Sequence, residues 1–279
     1  MAKLLTQSIP KLYGQLLNLY TVFNPNDAAK KAFKIFCKVR KGRVLTNQEA
    51  YLNSAKHKVH DIAEHSVQTY KWEGTRETVL LVHGWESNAW RWHRLIQKLT
   101  DANYEIIAFD APGHGNSSGS YLHVPLYAEV LQFMIDKYNP KFLIGHSVGG
   151  MTILYNENLR PSPIVKKIVT IGSPSEFHEI IAHFQTLLGF NGKVLRALDT
   201  YIHKKFGFTI REFSTSRFAR TNRKKGLLFH DKFDKITPYH ASEQVSSQWE
   251  NSILKTTEGL GHSMHQDEVN DQIVAFLES

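Results

Sequence analysis

The residues best suited to chemistry are Gly145-His146-Ser147-Val148-Gly149-Gly150. A serine hydroxyl becomes a useful nucleophile when it stands clear of its own backbone, beside a base and beside donors for the negative charge it creates. The apolar run Phe142-Leu143-Ile144 precedes it, and Met151, Ile153, Leu154 and Leu159 follow at helical spacing. This pattern predicts a buried strand, a tight turn and a helix, the G-x-S-x-G nucleophile elbow. Small neighbours suit the crowded turn. A helix N-terminus behind Ser147 supplies backbone N–H groups for an oxyanion.

Serine needs a base and a group to orient it. Reactive groups of parallel α/β sheets gather at the carboxyl ends of strands. Asp234 follows the strand ending at Phe229-His230, and His262 follows the last strand. Asp231 is the rival acid, but the D-x-x-T-P spacing places Asp234 in the loop beyond the strand; His265 is the rival base. The order Ser, Asp, His matches that expected behind such an elbow.

The elements that must position these groups alternate. Strands are expected at 65–72, 78–82, 104–109, 141–144, 165–171, 226–230 and 252–256, with helices between. That is an α/β fold with a doubly wound, mostly parallel sheet. The rhythm pauses at 175–222, two or three helices rich in Phe, Leu and Lys, the place for an inserted cap. Residues 1–64 read as a helical extension, giving a core of 65–174 and 223–279. Ile9, Leu12, Leu16, Leu17, Leu19 and Tyr20 are expected on one helix face, and Asn24-Pro25-Asn26-Asp27 is a stop and restart. His57 and His60, with Asp61 and Glu64, mimic ligand spacing on a helix; a polar helical face explains them, so no metal and no cofactor are expected. No G-x-G-x-x-G or P-loop sequence is present.

The net charge of +8 is concentrated. Residues 1–60 carry 11 Lys/Arg against Asp27 and Glu49. Neither this stretch nor the basic one at 193–225 has a nucleic-acid signature; they read first as solvated faces over helices packed on the main domain, with acidic substrates, or peripheral contact of the basic N-terminal helices with a membrane surface, as the alternatives. Met1–Gln7 lacks a sustained apolar core, no run reaches transmembrane length, and Cys37 is the only cysteine. A cytoplasmic address is expected.

Val82-His83-Gly84-Trp85, the stretch Phe109-Asp110-Ala111-Pro112-Gly113-His114-Gly115-Asn116-Ser117, the elbow, and the Asp234 and His262 loops occur in one order. Together they resemble the α/β-hydrolase fold superfamily, in particular its esterase and C–C hydrolase branches with a short H-G-x loop. The resemblance implies that Ser147 attacks, His262 is general base then acid, and Asp234 orients the imidazole. It also implies an oxyanion hole of the Trp85 and Val148 N–H groups, with His83 and Asp110 shaping loops. The expected activity is hydrolysis of a small-molecule carboxylic ester or thioester through an acyl-enzyme. Trp85, His146, Phe177 and Phe184 are the expected pocket residues. The alternatives are C–C hydrolysis or acyl transfer on the same triad, with Arg196, Arg211 or Arg217 for a substrate carboxylate, or an idle fold serving as a membrane-surface or protein-binding module.

Overall fold

The computed structural model describes residues 2–279, with side chains from Ile9 onward. Met1, and the side chains of the Met1–Gln7 segment read for a leader, lie outside that description. The chain forms two compact units: residues 39–175 with 215–279, and residues 1–38 with 176–214.

The larger unit is built on one eight-stranded sheet. Its strands are β1 (Lys56–Ile62), β2 (His65–Trp72), β3 (Thr78–Val82), β4 (Glu105–Phe109), β5 (Phe142–His146), β6 (Lys167–Ile171), β7 (Lys225–Asp231) and β8 (Ser252–Thr257). The order across the sheet is β1-β2-β4-β3-β5-β6-β7-β8. From β4 to β8 the strands run parallel, while β2 pairs antiparallel with both β1 and β4. Successive residues of β3 face opposite layers, as the pleat requires. Leu80 and Val82 join a core with Ile107, Phe109, Leu131 and Ile153. Val79 and Leu81 join another with Leu95, Leu99, Ile144 and Ile273. Every residue of β5 and β6 is buried, which accounts for their continuous apolar runs.

One part of the sequence reading is corrected here. Residues 56–62, assigned to the helical extension, form β1, and His57 and His60 are strand residues. The β1–β2 hairpin turns through Ala63 and Glu64, at φ 48° and 63°. Two successive positive φ values are the signature of a tight hairpin turn that normally takes Asn-Gly, so Ala-Glu conceals it. His60 is buried and its Nε2 meets the Tyr138 hydroxyl at 2.8 Å, which gives it a structural task.

The smaller unit is helical: α1 (Ala2–Phe23), α2 (Pro25–Cys37), α7 (Phe177–Leu188) and α8 (Gly192–Phe206). The sheet unit holds α3 (Thr46–Leu52), α4 (His93–Asp101), α5 (Val124–Tyr138), α6 (Val148–Leu159), α9 (Thr215–Ala219), α10 (His240–Gln248) and α11 (Asp267–Glu278). Asn24 caps α2, its side chain accepting the Asp27 N–H at 3.0 Å. One face of α1 is inward: Leu17 and Thr21 are buried, and Gly14 lies against the Leu188 carbonyl. Another face is uncovered. Ile9, Leu12, Tyr13, Leu16, Leu19, Tyr20 and Phe23 recur at three- and four-residue spacing, and Phe23 is 78% exposed.

Candidate active site

Three close approaches assemble the site. The Ser147 amide donates to the Ile171 carbonyl at 2.8 Å, which ties the end of β5 to the end of β6. A Cβ on Gly149 would lie 2.2 Å from the Val82 carbonyl oxygen, so the first turn of α6 rests directly on the end of β3. A Cβ on Gly84 would lie 2.7 Å from His146 Nδ1 and 3.1 Å from Ser147 Cβ, so the loop after β3 is pressed against the elbow. No side chain fits at either glycine. Ser147 itself has φ 51°, the strained turn the sequence pattern implies.

The loop after β3 is held by histidines of fixed tautomer. His83 donates from Nδ1 to the Gly84 carbonyl at 2.7 Å and accepts the Ala111 amide on Nε2 at 2.9 Å. A carbonyl only accepts and an amide only donates, so His83 is neutral; burial pushes its pKa down to about 4. Fixing the Gly84 carbonyl also fixes the opposite direction of the Trp85 N–H, because both lie in one trans peptide plane. His114 acts similarly, donating to the Pro112 carbonyl and accepting the Glu86 amide at 3.0 Å. Its pKa is pushed down to about 3, chiefly by burial. Asp110 accepts the Ala89 and Asn116 amides and the Tyr70 hydroxyl, each at 2.8 Å, joining this loop to the Gly/Pro-rich one. Among the described residues, neither the Trp85 nor the Val148 N–H donates to a protein acceptor.

His262 and Asp234 come together. His262 Nδ1–H donates to Asp234 Oδ2 at 2.7 Å, leaving Nε2 as the basic nitrogen. The imidazole stands over the end of β6: a Cβ on Gly172 would lie 3.3 Å from His262 Nδ1. The other Asp234 oxygen accepts the Ile236 and Thr237 amides at 2.8 and 3.0 Å. Burial raises the Asp234 pKa, but His230, His262 and these two amides outweigh it and hold the carboxyl well below the usual carboxylate range. Asp231 instead receives the Phe233 and Leu260 amides and the Thr257 hydroxyl, which shapes the loops carrying Asp234 and His262. His265 has no bond to either aspartate; its carbonyl accepts from Asn270.

His146, expected to touch substrate, has another partner. Its Nε2–H donates to the His262 carbonyl at 3.0 Å, and the two rings meet edge to face at 4.7 Å. Trp85 packs edge-on against His114. Phe177 and Phe184 lie in the helical unit, where both rings pack on Phe36. His230 escaped the sequence reading: it is fully buried, bonded to Ser242 and the Thr237 carbonyl, and stands 3.5 Å from Asp234. Its place at the carboxyl end of β7, four residues before the acid, was the available signal.

A family model described as the alpha/beta hydrolase fold matches residues 77–193. The chain has the α/β-hydrolase fold. Among solved hydrolases with this fold, an esterase from Exiguobacterium antarcticum superposes with a TM-score of 0.64 at 16% identity, covering 80% of this chain and 100% of that one. Est1E from Butyrivibrio proteoclasticus, solved with ferulic acid bound, gives 0.67 at 18% identity over 79% of this chain and 97% of that one. A probable serine hydrolase of Drosophila melanogaster is 34% identical over 120 residues, which are 38% of this chain and 34% of the relative. A pimeloyl-[acyl-carrier protein] methyl ester esterase of Vibrio cholerae is 29% identical over 142 residues, 50% of this chain and 52% of the relative. The chain thus spans about a third to a half of the length of these two curated relatives.

The Asp234 geometry sets a pH dependence of stability. A carboxyl titrating lower when folded than when unfolded, near about 3.9, stabilises fully above that pH and less as pH falls toward the folded value. Asp234→Asn should therefore be less stable than wild type at neutral pH, with the gap closing as pH drops below about 4. Denaturant midpoints across that range check this; a gap that stays constant contradicts it.

Proposed function

We propose that the chain is a serine hydrolase acting on a small-molecule carboxylic ester or thioester through an acyl-enzyme. The observation that carries this reading is the 2.7 Å His262–Asp234 bond, on a histidine standing over the strand end to which Ser147 is tied. The names of the relatives, serine hydrolase and esterase, support the same class. His262 Nε2 takes the Ser147 hydroxyl proton as Oγ bonds to the ester carbonyl carbon. The carbonyl oxygen, now negative, receives the Trp85 and Val148 N–H groups. Collapse breaks the bond to the leaving alcohol or thiol, which departs with the proton from His262. Water then attacks the acyl-enzyme by the reverse roles and releases the acid. His146 is a positioning residue in this scheme, holding the backbone of the base. No cofactor enters. A reducing, cytoplasmic address completes the reading, supported by Cys37 as a single buried thiol.

The test is intact-mass labelling with a fluorophosphonate, paired with hydrolysis of short p-nitrophenyl esters. Wild type should gain one adduct and Ser147→Ala none. Asp234→Asn should keep its fold and lose about 10⁴-fold in kcat, as expected when the imidazole loses its orienting acceptor. A folded wild type without adduct, or an adduct surviving in Ser147→Ala, contradicts the proposal.

A second element is peripheral contact with an anionic membrane surface. Its support is the exposed apolar stripe of α1, with Lys30, Lys31, Lys34 and Lys38 following on or just after α2 and Asp27 as the single acid before residue 39. An apolar stripe lying beside lysines suits an acidic lipid surface, where both attractions act together. No described helix is long and apolar enough to cross a membrane. Vesicles containing phosphatidylglycerol should sediment the protein, with binding weakened by salt and by Leu16→Glu with Phe23→Glu. Binding to neutral vesicles alone, or a double variant that binds equally well, contradicts it.

A further inference from the structure

An open cleft of about 750 Å³ adjoins the catalytic loops within the sheet unit. One wall is the segment from Glu86 to Arg94, which starts one residue beyond Trp85. Another contains Ser263 and His265, which follow His262. A third is the stretch 40–43. Arg40, Lys41, Arg43, Arg91 and Arg94 line it against a single carboxylate, Glu86, whose Oε1 accepts the Arg40 amide. Among the described residues, Lys41, Arg43, Arg91 and Arg94 form no ion pair. A cleft of one sign concentrates the opposite charge.

Arg91 is the telling member. Its Nη2 donates to the Ser263 carbonyl at 2.9 Å, and its guanidinium lies over the Trp92 ring at 4.7 Å. Its Nε is buried with no acceptor. Burial pushes its pKa down to about 9, which still leaves it charged at neutral pH. A half-buried guanidinium whose Nε is buried without an acceptor, and which has no carboxylate partner, is costly unless an acceptor arrives. Arg43 is different, since its two terminal nitrogens already donate to the Gly115, Ser117 and Gly119 carbonyls. It contributes charge rather than free donors. Arg94 and Lys41 are exposed at the rim.

We propose that this cleft is an anion subsite, and that the substrate is an ester or thioester bearing a carboxylate or phosphate group that Arg91 and Arg94 receive. The inference rests on the ester-hydrolase reading and narrows its substrate class. The ester carbonyl lies at Ser147 and the anionic arm runs along the loop after Trp85. Both oxyacid groups suit a guanidinium fork.

Two matched pairs of probes separate the possibilities: monomethyl against dimethyl glutarate, and monoacetyl glycerol 3-phosphate against monoacetin. Binding is read by calorimetry on Ser147→Ala, so that turnover is not needed. The charged member of at least one pair should bind at least tenfold more tightly than its neutral partner, and the preferred pair identifies carboxylate or phosphate. Adding Lys41→Ala and Arg94→Ala, both at exposed positions, should cut that preference at least threefold, and Arg91→Met should cut it further. In the wild-type background, Lys41→Ala with Arg94→Ala should lower kcat/KM for the charged ester while changing the neutral one less than twofold. Equal binding of charged and neutral partners overturns the inference, as does a preference that survives all the substitutions. Serine labelling reports separately on the hydrolase reading. An enzyme that labels at Ser147 and ignores charge loses only the subsite.

Discussion

The site depends on the absence of side-chain volume where three strand ends meet. Gly149 sits on the Val82 carbonyl, and Gly84 sits on His146 and Ser147, both at distances that no Cβ could occupy. Because Gly149 meets backbone and Gly84 meets the His146 ring and the Ser147 Cβ, these contacts set the spacing between the loop after β3 and the N-terminus of α6 closely. That spacing is what an oxyanion hole made of Trp85 and Val148 requires, since donors separated by one side chain's width would miss a shared oxygen. The strain at Ser147 is tolerated because β5 and its neighbours are buried along their whole length.

Around this contact, burial fixes protonation as well as position. His83 and His114 are neutral because each accepts an amide on one nitrogen, and burial disfavours the charged form. They act as rigid brackets for the loop that aims the Trp85 N–H. Asp234 is treated in the opposite way. It is buried but surrounded by donors, so it remains a carboxylate and can hold the protonated side of His262 toward itself. One fold thus keeps two histidines as neutral spacers and turns a third, His262, with its Nδ1 toward a carboxylate.

Much of this was legible in the sequence because it is local. The elbow, the His83-Gly84 loop, the Asp234 loop and His262 each sit at a strand end that an apolar run announces. What was not legible is long-range. Strand β1 turns into β2 through Ala63-Glu64, residues without turn chemistry, so seven residues read as helix became an edge strand. The helical face of α1 was clear, but periodicity cannot say which of two apolar stripes is covered; Leu17 and Thr21 are inward while Leu16 and Phe23 are not. Nor does periodicity say that the first 38 residues cluster with 176–214 while the next stretch joins the sheet. Arg91 gave no sign that its Nε would be buried without an acceptor, because neighbouring residues in sequence do not reveal which carboxylates are near in space.

The most direct measurement is a crystal structure of the protein after reaction with a small phosphonate ester. Phosphorus bonded to Ser147 Oγ, with the phosphoryl oxygen about 2.7–3.1 Å from both the Trp85 and Val148 nitrogens, is the expected result. His262 Nε2 should then face the remaining ester oxygen while Nδ1 keeps its bond to Asp234. An adduct whose phosphoryl oxygen points to solvent, away from both amides, would contradict the assignment of the hole. An adduct on another residue would contradict the nucleophile itself.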